Sequence, residues 1–125
     1  MSSDLAEKTD LAEKNCVPCR GGIPPLEPAA AEQYHRAAPD WTLADTATRL
    51  ERTYRFKNFA GSFAFVERAA ELAERESHHP DISFGWGYAT VSLWTKKIKG
   101  LHENDFIMAV KLDRIAAGMA RAAED

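Results

Sequence analysis

Glu74-Arg75-Glu76-Ser77-His78-His79-Pro80-Asp81 joins a segment of helical periodicity to a segment of strand periodicity. Two of the chain's four histidines stand side by side here. A proline immediately after them disfavours helical geometry at His79 and forces it toward extended backbone. The helix therefore stops at this point, and the two rings are expected to point in different directions. Adjacent imidazoles titrate near neutral pH within a few ångströms of each other. That suits a small site in which one group moves a proton and another holds a substrate.

Upstream of the histidines, Asn58 is placed to cap a helix running to about Ser77. Phe59, Phe63, Val66, Ala70 and Ala73 recur at helical spacing, with Phe65, Ala69 and Leu72 widening the stripe. Glu67, Arg68, Glu71, Glu74 and Arg75 fall largely outside it. Downstream, Asp81 to Gly85 reads as a short strand and Trp86-Gly87 as a bend or bulge. Tyr88 to Lys96 reads as a second strand, with Ala89, Val91 and Leu93 on its apolar face.

Working outward to the ends, Ala29 to Ala37 predicts a short helix behind Pro28 and ahead of Pro39. Trp41 opens a strand, Asp45 to Thr48 looks like a hairpin connection, and Arg49 to Lys57 alternates polar with apolar residues. A last helix spans about Glu103 to Ala122, with Phe106, Ile107, Val110, Ile115 and Met119 on its apolar side. The order αββαββα predicts an α+β fold: one four-stranded antiparallel sheet, two long helices on one face, and a short N-terminal helix. The opposite sheet face, with Thr90, Ser92, Trp94 and several aromatics, is expected to be covered by oligomerisation.

Residues 1–28 read as an N-terminal tail and 29–125 as the domain. Asp4-Leu5-Ala6-Glu7-Lys8 recurs as Asp10-Leu11-Ala12-Glu13-Lys14, and Gly21-Gly22-Ile23-Pro24-Pro25 reads as an extended linker. The first ~14 residues are expected to be mobile or docked on a neighbour. Cys16 and Cys19 form a C-x-x-C pair without the second pair that structural zinc needs. Two reduced thiols are the plain reading; a metal shared between subunits or a reversible disulfide are the alternatives. A net charge of −3 speaks against nucleic acid as the main partner. No apolar run reaches the roughly 18 residues of a membrane span. The N-terminus lacks signal-peptide features, so a cytoplasmic location is expected.

The spaced constellation Glu74-x3-His78-His79-Pro80-x5-Trp86-x9-Lys96-x8-Asp105 resembles the signature of the pterin-4a-carbinolamine dehydratase family. Pro39-Asp40-Trp41, Tyr54-Arg55-Phe56-Lys57-Asn58-Phe59 and Gly100-Leu101-His102-Glu103-Asn104-Asp105-Phe106 resemble further family stretches, as does the cysteine segment. The resemblance implies removal of water from a 4a-hydroxytetrahydropterin, the form in which aromatic amino acid hydroxylases release their cofactor. It implies proton transfer alone, with no metal and no cofactor besides the pterin substrate. His78 and His79 match the first two catalytic histidines, and Lys96 stands where the third is usually found. Trp41 matches an aromatic near the site, and Glu74, Pro80, Trp94 and Thr95 are carried over as pterin-binding positions. Asp105 and Trp86 are expected to orient the site rather than react.

Lys96 is the main departure. An ordinary lysine has a pKa near 10.4 and carries protons poorly at neutral pH unless burial or a cationic neighbour intervenes. His102 stands where related sequences place a Ser or Thr helix cap, with Asp105 three residues on. A dehydratase is the first reading. The second is a dehydratase-like protein acting as a dimerisation or assembly factor, of the kind the family includes for a homeodomain transcription factor and for RuBisCO. The resemblance also implies a homodimer or a tetramer built as a pair of dimers, with a hydroxylase or an assembly client as the protein partner.

Overall fold

A computed structural model describes residues 11–17 and 21–124. Helix α1 covers Pro28–His35, β1 Thr42–Ala44, β2 Arg49–Arg55, α2 Phe59–Glu76, β3 Asp81–Gly85, β4 Tyr88–Leu93, and α3 Glu103–Glu124. The order αββαββα is the expected one. The strands form one sheet in the order β1-β2-β4-β3, every pair antiparallel.

Register follows the alternation of the sequence. Leu50 faces Leu93, Arg52 faces Val91 and Tyr54 faces Ala89, while Val91 and Ala89 also pair with Ile82 and Phe84. Side chains alternate across a strand, so these residues share the face covered by α2 and α3. Leu50, Ala89, Val91 and Leu93 are fully buried there with Phe65, Leu72, Phe106 and Val110. Burying such a side chain stabilises by roughly 1.5–3 kcal/mol, which is why the alternation fixes the register.

The helical stripe needs a correction. The inward residues of α2 are Ser62, Phe65, Ala69, Leu72, Ala73 and Glu76, whereas Phe59 and Phe63 are about half exposed. The buried line is rotated because Phe65 reaches the Tyr54 and Phe56 rings on the sheet. Phe59 and Phe63 instead flank the Phe84 ring at the helix edge. On the outer sheet face Thr53 and Thr90 hydrogen bond across the strands at 2.8 Å. Among the described residues the exposed large apolar side chains are Phe59 and Phe63 on α2, Trp86 in the β3–β4 turn, and Val17 and Ile23 in the N-terminal segment.

Strand β4 ends at Leu93, short of the expected Lys96. Lys96–Ile98 forms a 3-10 turn, closed by an isolated bridge between Thr95 and Gly100. Trp86-Gly87 is a two-residue hairpin turn rather than a bulge, since Gly85 pairs directly with Tyr88. Gly87 supplies the positive φ of 84° that this turn requires.

Residues 11–17, assigned from sequence to the tail, lie against the domain. Leu11 is 3% exposed within the core. The Leu26 N–H donates to the Leu101 carbonyl, and a side chain at Gly100 would collide with Pro25. The first Asp4–Lys8 repeat and Cys19 lie outside the described residues.

Candidate active site

The end of α2 sets the site. Asn58 caps its start by accepting from the Gly61 N–H at 2.9 Å, as expected. At the other end Ser77 takes left-handed backbone, φ 55° and ψ 38°, where glycine would be the cheaper residue. The chain reverses there, and the two imidazoles part.

His78 turns inward. Its Nε2 lies 2.7 Å from Asp105 Oδ1. A carboxylate only accepts, so Nε2 must donate, and Nδ1 is left to receive or deliver a proton. Asp105 is fully buried and the His78 side chain is 11% exposed, so the ring opens to solvent through a narrow window. The same carboxylate accepts from Thr95 Oγ1 at 2.8 Å and from the His102 N–H at 3.0 Å. Three donors from three segments thus converge on one buried group.

Asp105 is placed by helix capping. The His102 Nδ1 accepts from the Asn104 N–H at 3.0 Å while Asp105 accepts from His102 N–H, a reciprocal box with histidine in the usual Ser or Thr position. The positive end of the helix dipole favours a carboxylate in this first turn. One side chain therefore caps α3 and orients the imidazole.

His79 turns outward. Its Nε2 lies 2.7 Å from Glu74 Oε2, and both side chains are well exposed. Pro80, half-buried, carries the chain into β3. Lys96 is exposed and its Nζ lies 3.6 Å from Asp81 Oδ1. The lysine therefore joins the histidine segment through Asp81 and the His78 cluster through its neighbour Thr95. Trp94 is half-buried beneath the Arg49 guanidinium, 4.9 Å from the ring centroid.

The structure thus brings His78, Asp105 and Thr95 into contact and pairs His79 with Glu74. Trp41 and Trp86 stand elsewhere. Trp41 is 1% exposed, with no surface left for a substrate. Its Nε1 donates to Asp113 at 2.9 Å, and its ring meets Tyr54 edge-on. Trp86 is 71% exposed at the tip of the β3–β4 turn, where it orients nothing in the cluster. Thr95 is 3% exposed and donates its hydroxyl to Asp105, so it holds the carboxylate.

Three residues escaped the sequence reading. Asp113 Oδ1 accepts from Trp41, from Arg52 at 2.7 Å, and from the Tyr54 hydroxyl. Burial, with Asp113 beside it, pushes the Tyr54 phenol far above its ordinary range. Glu76 is 8% exposed at the last turn of α2 and pairs with Lys111 on α3 at 3.0 Å. Burial pushes its carboxyl up, but the Cys16 N–H and Lys111 outweigh that and hold it below the usual 4.5. Asn104, 2% exposed, bonds the backbone of Val17. Glu76 and Asp113 both occupy inward helical positions, after Leu72–Ala73 and after Ala109–Val110. A charge on a buried stripe was the available signal.

An αββαββα fold holding one imidazole on a buried carboxylate and a second at the surface defines a protein equipped for proton transfer. The family described as Pterin 4 alpha carbinolamine dehydratase matches residues 24–115. A relative from Cupriavidus pinatubonensis, provisionally named pterin-4-alpha-carbinolamine dehydratase 1, is 60% identical over 117 residues, covering 94% of this chain and 99% of its own. One from Azoarcus, with the same provisional family name, is 57% identical over 107 residues, covering 86% and 92%. Among solved structures, a transcriptional coactivator/pterin dehydratase from Brucella melitensis superposes with TM-score 0.70 at 32% identity, covering 74% of this chain and 98% of its own. A pterin dehydratase-like protein identified as a RuBisCO assembly factor in the alpha-carboxysome gives 0.55 at 26% identity, covering 62% and 89%. The chain belongs to the pterin-4a-carbinolamine dehydratase family.

Proposed function

We propose that this protein dehydrates 4a-hydroxytetrahydropterins, a hydro-lyase reaction. The observation that carries the reading is the His78–Asp105–Thr95 chain. It fixes one imidazole tautomer and leaves Nδ1 as the base. In the elimination, N5 of the pterin loses its proton to His78, and the lone pair left on N5 expels the hydroxyl from C4a. Asp105 stabilises the imidazolium that forms. His79, exposed at the surface and held by Glu74, protonates the leaving hydroxyl as water. Each positioned acid or base contributes about 10²–10⁴-fold. Lys96, exposed and paired with Asp81, serves as a fixed positive charge beside the bound pterin rather than as a proton carrier.

The test generates 4a-hydroxytetrahydropterin in situ with an aromatic amino acid hydroxylase and measures its dehydration with and without the protein. Acceleration by the native protein and a loss of more than about 10²-fold in His78→Ala are expected. Unchanged activity in His78→Ala refutes the assignment. Lys96 in place of histidine, together with the likeness to the assembly factor, favours a second reading, a protein-binding role. A folded protein that gives no acceleration supports it.

A further inference from the structure

Glu76, buried, and Lys111, partly buried, form an ion pair that the proton-transfer scheme leaves unused. Glu76 Oε2 takes Lys111, and its Oε1 accepts from the Cys16 backbone N–H at 2.7 Å. One residue further along, Asn104 grips Val17 by both backbone groups. Its Oδ1 accepts from the Val17 N–H at 3.0 Å, and its Nδ2 donates to the Val17 carbonyl at 2.8 Å. Upstream the segment is anchored by Leu11 in the core and by Lys14 on Glu103 at 2.7 Å.

The two holders sit beside the reacting pair. Glu76 lies two residues before His78, and Asn104 immediately precedes Asp105. Residues 11–17 therefore bind the last turn of α2 and the first turn of α3 at once, next to the 2.7 Å contact that joins those turns through His78 and Asp105.

We propose that residues 11–17 are a positioning strap, with Glu76 and Asn104 as positioning residues that hold the His78–Asp105 pair in register. The inference rests on the proton-transfer reading of His78. The holders are buried, and buried polar groups left without partners are costly. Releasing the strap removes the partner of Glu76 Oε1 and both backbone partners of the Asn104 amide. Glu76 is then held to α3 through Lys111, and the two helix ends are freer to part. Displacements of about 1 Å around a reacting group cost on the order of 10²-fold in rate.

The experiment uses the full-length chain carrying Cys19→Ser, so that Cys16 is its one thiol. Asn104→Ala removes both grips on Val17, and Leu11→Ala loosens the strap from its far anchor. Three readouts are taken: the rate of Cys16 labelling by Ellman's reagent, the downfield proton of the His78 ring N–H in NMR spectra, and kcat with KM. In both variants labelling is expected to quicken about tenfold, the ring proton to broaden away, and kcat to fall about tenfold with KM nearly unchanged. Faster labelling with an unaltered ring proton and kcat overturns the positioning role. Unaltered labelling in both variants overturns the strap itself. Should the native protein lack dehydratase activity, the functional reading fails, while labelling and the ring proton still decide the strap. If Asn104→Ala does not fold, Leu11→Ala decides alone.

Discussion

Replacing Asp105 by asparagine keeps the shape of the side chain and removes its charge. The native carboxylate accepts three bonds, from His78 Nε2, Thr95 Oγ1 and the His102 N–H. An amide has one oxygen to accept and an NH2 group that donates, so at least one of the three donors meets another donor. The site is fully buried, so water cannot repair the mismatch. A lost hydrogen bond to a charged group is worth about 1.5–3 kcal/mol, so Asp105→Asn is expected to destabilise by about 2–3 kcal/mol. For a chain of 125 residues that lowers Tm by roughly 10 °C. Catalysis should suffer more. Facing an NH2 group, the His78 ring must move its proton to Nδ1, the atom needed as base. A loss of about 10²–10⁴-fold in kcat is expected, with a much smaller change in KM. Thermal melts and the coupled dehydration assay measure the two effects separately. A folded Asp105→Asn protein with native kcat refutes the argument that Asp105 sets the His78 tautomer.

Three further outcomes are expected. Lys96→His should lower kcat, because it gives up the positive charge paired with Asp81; a rise in kcat refutes that role and shows that a third proton carrier at that position is the greater advantage. Asp113→Ala removes the acceptor shared by Trp41, Arg52 and Tyr54, and chemical denaturation should show a loss of about 2–4 kcal/mol from the donors left unpaired. Glu76 is held below its ordinary pKa of 4.5, so the unfolded chain binds its proton first as pH falls. Its contribution is fully present above that value and lost as pH drops through the lower folded value. Urea titrations from neutral pH downward should show this loss in the native protein and a flatter profile in Glu76→Gln.

Much of the architecture was legible because it rests on local periodicity. Alternation in 49–55 and 88–93 gave the strands and the buried faces. Asn58 gave the start of α2, and Pro80 limited its end. The outcome was poorer wherever two periods compete. Phe59, Phe63, Phe65 and Val66 supply apolar residues on more than one side of α2, and packing against Tyr54 and Phe56 chose among them. The strand predicted to reach Lys96 stops at Leu93 because Thr95 turns to pair with Gly100 and Asp105. Trp41 and Trp86 show the same limit in the site. An indole is equally at home in a core, at a hairpin tip or against a ligand, so residue type alone could not separate them.

By itself the sequence determined the order of elements, the α+β class, the divergence of His78 and His79, and the capping relation between His102 and Asp105. These depend on backbone preferences and on residues near in the chain. Only the tertiary structure decided that Asp105 holds His78 across 27 residues, that Asp113 gathers three donors from two other segments, and that Glu76 and Asn104 grip residues 16 and 17. Those partners are set by which polar groups become buried together, and burial is a property of the packed chain.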